Sequence, residues 1–386
     1  MENENKWKDY CLNPENIFFR NNIDLISGGE EAFPHILEKV RAAKKFIFLE
    51  VYSFSDDHVG RAFADALIKK IHQGVKIYII YDSIGSVYTS NNFFKKMRQE
   101  GIKIKEYHQA APWKPHWNLF RRDHRKLLCI DGEIAFIGGF NISEYDAPKS
   151  MGGRGWKDMV AEIKGDIIPS IEREFLASWE RCPGQKEDID SLNAGEKKVS
   201  SYEGTMAAAI VSASGIKSMM SIRRSYKYAI ERAKDYIFIT NAYFLPDRII
   251  YRKLVRAAQR GVDVRIIAPF NTDHPYVRWA SWALYTNMIK NGIKIYEWQG
   301  AILHSKAAVI DGQWSSVGSH NLDHRSLYYN LELNINVFDK SFGGKMEDVF
   351  KADLKKSRQI TIDDCVNRRL LSKLSSKALY FFRSWL

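Results

Sequence analysis

Two short segments of the sequence share a polar pattern that could carry nucleophilic and acid–base chemistry. The pattern is H-x-K-x4-D, and it is found in HRKLLCID (124–131) and again in HSKAAVID (304–311). Small residues and then an asparagine follow each copy, Asn141 in the first and Asn321 in the second. A neutral imidazole can attack phosphorus or transfer a proton. A lysine ammonium can neutralise a phosphate oxygen while an amide donates a further hydrogen bond, so the pattern indicates chemistry on a phosphate ester.

The apolar residues between each lysine and the closing aspartate predict a buried strand. Because residues two apart on a strand share a face, His124 and Lys126 should point the same way, as should His304 and Lys306. A single histidine before an apolar strand is more often structural than catalytic. Here two copies have the same spacing, and each is followed by a glycine and an asparagine at the same distance. This repetition favours a catalytic role for both histidines.

An aspartate closes each copy of the motif, Asp131 in the first and Asp311 in the second. We include both in the candidate catalytic set as members of the motif. They lie further from the histidine along the strand, however, and are expected to bind the main chain or anchor the following turn rather than join the chemistry.

The motifs belong to a longer internal repeat. It pairs KFIFLEVYSFSDD (45–57) with DYIFITNAYFLPD (235–247), and GVKIYIIYD (74–82) with GVDVRIIAPF (261–270). Units of this length are too long for a solenoid and indicate a duplicated domain. In each half a helical stretch ends at a glycine and a strand follows, which predicts an α/β fold with a largely parallel central sheet flanked by helices.

The repeat and the composition along the chain also predict the domain boundaries. A polar stretch poor in large apolar residues separates the two halves and is expected to be a linker. The predicted units are an N-terminal extension (1–22), a first domain (23–183), the linker (184–204), a second domain (205–362) and a basic amphipathic C-terminal helix (363–386).

The duplicated pattern H-x-K-x4-D-x6-G-[GS]-x-N resembles the signature of the phospholipase D superfamily. NAYFLPD (241–247) and VGSHNLDHRSLYYNLE (317–332) resemble the bacterial cardiolipin synthases, most closely their short form without N-terminal transmembrane helices. The resemblance implies two α/β halves that meet face to face, with one active site at their seam. Gly139 stands where the family pattern has serine, and this departure could loosen the orientation of the site.

The resemblance also implies roles for the motif residues in a reaction through a phosphohistidine. His124 is the nucleophile by analogy with relatives, although the symmetry of the sequence does not decide between the two histidines. His304 then protonates the leaving glycerol hydroxyl and deprotonates the incoming one. The phosphate is bound by the two lysines and two asparagines, Lys126, Lys306, Asn141 and Asn321.

Two acids early in apolar strands are candidates for orienting the imidazoles. They are Asp158 in WKDMVAEI and Glu332 in NLELNINV. The resemblance implies that they act across the halves, so that Glu332 orients His124 and Asp158 orients His304. The alternative is that each forms a surface ion pair.

The composition limits which classes of protein the chain can belong to. The chain has 386 residues, with 58 Lys+Arg against 46 Asp+Glu and a formal net charge of +12, so its partner could be nucleic acid or an anionic membrane. Four widely spaced cysteines argue against a disulfide framework or a zinc site. We expect no metal and no cofactor, since no carboxylate cluster suited to magnesium is evident.

The C-terminal segment favours a membrane over nucleic acid. VNRRLLSKLSSKALYFFRSWL (366–386) combines an apolar helical stripe with basic residues, which fits an interfacial anchor. The alternative is a helix docked on the protein core. A lipid-acting enzyme therefore ranks first, ahead of a phosphodiesterase nuclease and of a non-catalytic membrane scaffold.

The expected reaction converts two phosphatidylglycerol molecules into cardiolipin and glycerol, with phosphatidylethanolamine as a further possible donor. A phospholipase D hydrolase is the alternative within the same chemistry. The expected partners are an anionic phospholipid membrane and glycerol, and not nucleic acid. The expected location is peripheral, on the cytoplasmic face of the bacterial inner membrane.

Overall fold

The strands of both halves form one continuous mixed sheet. In this computed structural model the described residues are 6–109, 118, 120–183, 203–214 and 218–383, so nearly all of the predicted linker lies outside them. Within these ranges the sheet has 15 strands, in the order β15-β11-β10-β9-β12-β13-β14-β8-β1-β7-β6-β5-β2-β3-β4. Apart from β15 at one edge, the order reads the same outward from the β8–β1 junction, as a duplication requires.

The described part of the first half supplies seven strands and four α-helices. Its strands are β1 (Phe18–Ser27), β2 (Phe46–Val51), β3 (Lys76–Asp82), β4 (Lys103–Tyr107), β5 (Leu127–Ile130), β6 (Ile134–Gly138) and β7 (Met159–Gly165). Its helices are α1 (Gly29–Ala42), α2 (His58–Ile71), α3 (Asn91–Gln99) and α4 (Ile168–Arg181). Strand β1 begins before the predicted boundary at residue 23, so part of the predicted N-terminal extension belongs to the sheet.

The second half repeats this arrangement. Its strands are β8 (Met206–Ala213), β9 (Tyr236–Asn241), β10 (Asp263–Pro269), β11 (Lys294–Trp298), β12 (Lys306–Ile310), β13 (Trp314–Gly318), β14 (Glu332–Phe338) and β15 (Ser357–Ile360). Its helices are α5 (Ser221–Arg232), α6 (Arg248–Gln259), α7 (Pro275–Lys290), α8 (His324–Tyr328), α9 (Lys340–Leu354), α10 (Ile362–Val366) and α11 (Leu370–Phe381).

Matching local signals start and stop the equivalent helices of the two halves. The Asp57 carboxylate accepts from the main chain of Gly60 at the start of α2, and Asp247 caps α6 in the same way. After the helices, Gly74 and Gly261 adopt positive φ angles of 86° and 93°. The chain can thereby turn directly into the next strand, as the helix–Gly–strand pattern predicts.

The α/β class is as predicted, but the prediction of a largely parallel sheet is wrong. In the first half β2, β3 and β4 pair in parallel, whereas β2–β5, β5–β6, β6–β7 and β7–β1 are antiparallel. Helices α2 and α3 connect the parallel strands. The motif strands β5 and β6 are joined by a tight turn, which forces them to be antiparallel.

The halves join edge to edge rather than face to face, since β1 pairs with β8. One face of the sheet carries a core that is continuous across both halves beneath α4 and α9, with Phe175 and Phe350 among its buried side chains. The opposite face carries a separate core in each half. The shared core fixes the two halves relative to each other and therefore fixes their seam.

The closing aspartates of the two motifs form turns. Asp131 and Asp311 have φ angles of 59° and 52°, and each is followed by a glycine with positive φ. The Asp131 carboxylate accepts from the main-chain N–H groups of residues 44–46, at 2.7–3.0 Å. Asp311 accepts in the same way from residues 234–236. These contacts are the ones expected of residues that anchor the turn, and they bind the carboxylate oxygens at the far end of the strand from the histidine. Membership of the catalytic set stays a prediction.

The C-terminal helix docks on the protein with one side, as one of the two alternatives expects, and leaves an apolar side exposed. One side of α11 docks on α7: Ser376 is buried, and the Arg368 guanidinium lies 4.5 Å from the Trp282 ring centroid. The other side leaves Leu370, Leu371 and Phe381 between 71% and 80% exposed. Trp385 of the predicted stripe lies outside the described residues. None of the described helices combines the length and the hydropathy needed to span a bilayer.

Removing the charge of either turn aspartate should lower stability rather than activity. Asp131→Asn and Asp311→Asn keep a residue that tolerates positive φ. The first weakens three charge-assisted hydrogen bonds and the second four, because the Tyr10 hydroxyl also donates to Asp311. We expect each to lower the free energy of unfolding in urea by about 1.5–3 kcal/mol. Glu133→Gln, in the same turn but exposed, is the control and should change it by less than about 1 kcal/mol. If a variant keeps its stability but loses its activity, the substituted aspartate would have a catalytic role.

Candidate active site

At each motif histidine, a main-chain hydrogen bond holds the two halves together. The N–H of His124 donates to the carbonyl of Leu331 at 3.0 Å, and the N–H of His304 donates to the carbonyl of Lys157 at 2.8 Å. Leu331 directly precedes Glu332, and Lys157 directly precedes Asp158. Each contact therefore sets the carboxylate of one half beside the histidine of the other.

The imidazole–carboxylate pairs cross the seam. His124 Nδ1 lies 3.1 Å from each carboxylate oxygen of Glu332, and His304 Nδ1 lies 2.8 Å from Asp158 Oδ2. All four side chains are buried, so neither acid forms the surface ion pair that was the alternative. A carboxylate on Nδ1 fixes the ring and leaves Nε2 as the nitrogen that can bond to phosphorus or carry a proton.

Each motif lysine folds back onto its own histidine. Lys126 Nζ donates to the His124 carbonyl at 2.8 Å, and Lys306 Nζ donates to the His304 carbonyl. Burial and the charge of Lys306 lower the pKa of Lys126 to about 7. Burial likewise lowers the pKa of Lys306. A phosphate placed between the two ammonium groups would restore their full protonation.

The imidazoles are held in their neutral form. Burial, and after it the charges of Lys126 and Lys306, lower the pKa of both His124 and His304 well below the ordinary value. Burial also raises the pKa of Asp158 to about 6 and raises that of Glu332. Both rings therefore start as neutral bases at neutral pH, the form that nucleophilic attack on phosphorus requires.

The two motif asparagines are buried and differ in their contacts. Asn141 accepts from the Ser53 N–H at 3.3 Å and donates to Asp146 at 3.4 Å. The Asn321 side-chain oxygen has no hydrogen-bond partner among the described residues. Phosphate binding by either amide stays a prediction.

Asp146 is a further acid at His304 that the sequence analysis missed. It is buried, and its Oδ1 lies 3.8 Å from His304 Nδ1. Its other oxygen accepts from Ser143 Oγ at 2.8 Å. The repeat gives no matching acid that could have revealed it: Asp146 is five residues after Asn141, where the second half has Ser326, five residues after Asn321.

Asp146, Asp158 and His304 are also close enough to be tested as a metal site. One donor atom from each lies within 4.8 Å of the others. The Lys306 ammonium, however, lies 3.9 Å from Asp158 and would repel a cation placed there. The donor set therefore fits a hydrogen-bonded histidine better than a metal, and the expected absence of a metal stays a prediction.

Gly139 makes room for Asp158 and does not loosen it. A Cβ atom at position 139 would lie 2.1 Å from Asp158 Oδ2, much closer than atoms in contact can approach. In the second half, Ser319 occupies this position and its hydroxyl donates to Glu332 at 2.5 Å. The shorter acid thus accompanies the glycine and the longer acid accompanies the serine.

A buried ionic network flanks His124, and the described residues around His304 show no counterpart of it. Arg122 binds Asp82 at 3.0 Å, and Arg125 binds Glu174 at 2.9 Å while lying 3.7 Å from Glu50. The second motif has Ser305 where the first has Arg125. These contacts hold the main chain on both sides of His124, and the lack of repeat symmetry hid them from sequence reasoning.

The chain matches the family described as "Cardiolipin synthase, PLD-like domain" over residues 36–179 and 226–354. A cardiolipin synthase of Oceanobacillus iheyensis is 32% identical over 355 residues, which cover 91% of this chain and 73% of that protein. A cardiolipin synthase of Clostridium perfringens is 31% identical over 381 residues, covering 97% and 80%.

Among solved structures, the phosphatidylserine synthase of Haemophilus influenzae shares the fold. Its TM-score is 0.74 at 14% identity, with 99% of this chain and 100% of that chain covered. At this identity the likeness shows the fold alone. The family match spans more than half of the chain, in one segment from each half, and the relatives above align with most of its length. The chain therefore belongs to the cardiolipin synthase family of phospholipase D-like proteins.

Proposed function

We propose that this enzyme transfers a phosphatidyl group from one phosphatidylglycerol to a second, releasing glycerol and forming cardiolipin. The observation that carries the proposal is the pair of buried imidazoles, each bound to a carboxylate of the other half and flanked by a lysine. Family membership and the names of the relatives support a phosphatidyltransferase. The two halves together supply a nucleophile, a proton carrier and charge neutralisation without a cofactor.

In the first step the donor phosphate lies between Lys126 and Lys306, and Asn141 and Asn321 donate to its oxygens. Nε2 of His124 attacks phosphorus, and the bond from phosphorus to the glycerol oxygen breaks. His304, which becomes protonated once the bound phosphate offsets the charges of Lys126 and Lys306, gives its Nε2 proton to that oxygen, so neutral glycerol leaves and the ring becomes neutral. In the second step His304 takes the proton of an acceptor hydroxyl, the new oxygen–phosphorus bond forms, and His124 is released unchanged.

The assignment of His124 as nucleophile is supported by the unequal charges around the two rings. His304 faces Asp158, with Asp146 behind it, and these acids favour its protonated form. His124 faces Glu332, while the charge of Arg325 adds to those of the lysines in disfavouring its protonated form. The ring that holds a proton more readily is the better acid for the leaving alcohol, which leaves His124 to attack.

The membrane partner is proposed from the exposed side of α11. Leu370, Leu371 and Leu374 are exposed there, and Lys373 and Lys377 lie on the same helix. Apolar side chains buried at the acyl boundary and basic side chains near anionic head groups would together hold the protein at a membrane. The proposed location is therefore peripheral, at the cytoplasmic face of the bacterial inner membrane.

The products formed from phosphatidylglycerol vesicles test the proposed reaction. We expect cardiolipin and glycerol in equal amounts, formed also in the presence of EDTA because the lysines supply the positive charge. Added glycerol should lower the yield of cardiolipin by competing as the acceptor. Phosphatidic acid as the only product at every glycerol concentration would identify a hydrolase instead, and nuclease activity without lipid products would overturn the lipid proposal.

The alkaline limb of the pH profile should differ between kcat/KM and kcat. With a soluble p-nitrophenyl phosphatidyl donor, whose leaving group needs no acid, kcat/KM should fall above pH about 7 as free Lys126 loses its proton. Bound phosphate favours the ammonium form, so the limb in kcat should lie at higher pH. The acid limb should lie below pH 6.5 in both, because His124 must be neutral. An alkaline limb at the same pH in both profiles would contradict the role given to Lys126.

Polar substitutions on the exposed side of α11 should weaken membrane binding without unfolding the protein. The variant Leu370→Ser/Leu371→Ser/Leu374→Ser changes side chains that are 54–80% exposed. We expect at least about a tenfold lower partition onto anionic vesicles in flotation, since each leucine loses burial worth about 1.5–3 kcal/mol when complete. Val87→Ser/Tyr88→Ser, exposed on the first half, is the control. If the triple variant floats with vesicles as the wild type does, α11 does not contribute to membrane binding.

A further inference from the structure

The second-half side of the active site carries a polar cluster beside His304, formed by Tyr243, Asp273 and His274. The Tyr243 ring lies edge-on to His304, with the ring centroids 6.5 Å apart. Its hydroxyl donates to the Asp273 carboxylate, at 2.8 and 2.7 Å from the two oxygens. His274 Nε2 lies 3.6 Å from Asp273 Oδ2. The hydrogen bond to Tyr243 thus fixes the carboxylate next to the ring that flanks His304.

Asp273 is directed at the catalytic groups and remains ionised. Although burial alone would raise its pKa, the neighbouring His274 and His304 lower it below the ordinary value. Its charge in turn acts on His304 and on Lys306. Its side chain is 27% exposed. The carboxylate can therefore still accept hydrogen bonds from a molecule in the site.

An ionised carboxylate near a phosphate-binding site disfavours phosphate binding, so we expect it to bind another part of the substrate. It repels the phosphate oxygens that the two lysines attract, so its position has an electrostatic cost. A carboxylate accepts hydrogen bonds from hydroxyl or ammonium groups and donates none. The proposed function puts the alcohol oxygen at His304, which exchanges its proton. The remaining polar groups of that alcohol then lie on the same side of the seam as Asp273.

No equivalent cluster exists beside His124 in the described part of the first half. The repeat places Ser53 at the position of Tyr243 and Ser86 at that of Asp273. Ser86 Oγ is used locally, because it donates to the Tyr52 carbonyl and accepts from the Phe54 N–H. The ring of Tyr52 lies against His124, with the centroids 5.1 Å apart. Within the described residues the cluster is therefore found only beside His304, which is also the histidine that exchanges the alcohol proton in the proposed reaction.

We propose that Asp273, held by Tyr243 and flanked by His274, forms the subsite that binds the free hydroxyl groups of the leaving and incoming glycerol. The subsite rests on the proposed function, because it is placed by the role of His304 in that reaction. It selects a polyol over a simple alcohol by accepting hydrogen bonds from the hydroxyl groups that do not react. The phosphate is bound elsewhere, by Lys126 and Lys306.

Competition between acceptor alcohols tests the subsite. The full chain is given the soluble p-nitrophenyl phosphatidyl donor with glycerol, methanol or ethanolamine, and the transfer products are quantified by mass spectrometry. We expect Asp273→Asn to lower the preference for glycerol over methanol by about tenfold, the size of one or two lost hydrogen bonds to a charged group. Tyr243→Phe should lower the same preference less, since the carboxylate remains.

The matched control is Asp263→Asn, which removes a carboxylate of similar exposure that pairs with Arg265 and Lys294 outside the site. It should leave the preference unchanged. Equal losses with glycerol and methanol in Asp273→Asn would overturn the subsite, as would a selective loss with ethanolamine, which would mean that Asp273 serves an ammonium group. A wild-type enzyme that transfers to no alcohol at all would instead refute the proposed function, so the two failures are distinguishable.

Discussion

The active site depends on two main-chain contacts between the halves, in which the N–H groups of His124 and His304 donate to Leu331 and Lys157. Because the next residue after each acceptor is Glu332 or Asp158, these contacts put a carboxylate from one half on the imidazole of the other. Within the described residues, neither motif histidine is paired with a carboxylate of its own half. Buried carboxylates, imidazoles and ammonium groups are each costly in isolation and are tolerated here because they face one another. The β1–β8 pairing and the core shared beneath α4 and α9 keep the seam closed, so the chemistry requires both copies in one rigid unit.

The two halves have the same backbone arrangement, but several equivalent positions near the two histidines carry different side chains. Asp146 stands at His304 where the second half has Ser326, and Gly139 admits Asp158 where Ser319 supports Glu332. These differences give two histidines of the same motif different electrostatic surroundings. One ring can then specialise in attack on phosphorus and the other in carrying the proton, a division that two identical sites would not provide. The duplicated motif supplies the groups of the candidate site, and the differences around it support the proposed division of roles.

The sequence was sufficient for the features that repeat. The two motifs, the helix–Gly–strand units and the pairing of halves all follow from periodicity and spacing, and the resemblance supplied the contacts of Glu332 and Asp158 across the seam. What the sequence missed depends on contacts between distant segments. Asp146 has no partner in the other copy to reveal it, the antiparallel order of β5–β7 follows from how the hairpin joins the sheet, and α11 docks by the side opposite to its most apolar residues.

The position of the covalent phosphatidyl group tests the central claim most directly. His304→Ala and His124→Ala variants would be mixed with the soluble p-nitrophenyl donor, quenched, and mapped by peptide mass spectrometry. Attack with this leaving group needs no acid, whereas release to an alcohol needs a base. The account therefore predicts that the group accumulates on His124 in the His304→Ala variant and is absent from the His124→Ala variant. A group on His304 in the His124→Ala variant, with none on His124 in the other, would contradict the account and reverse the two roles.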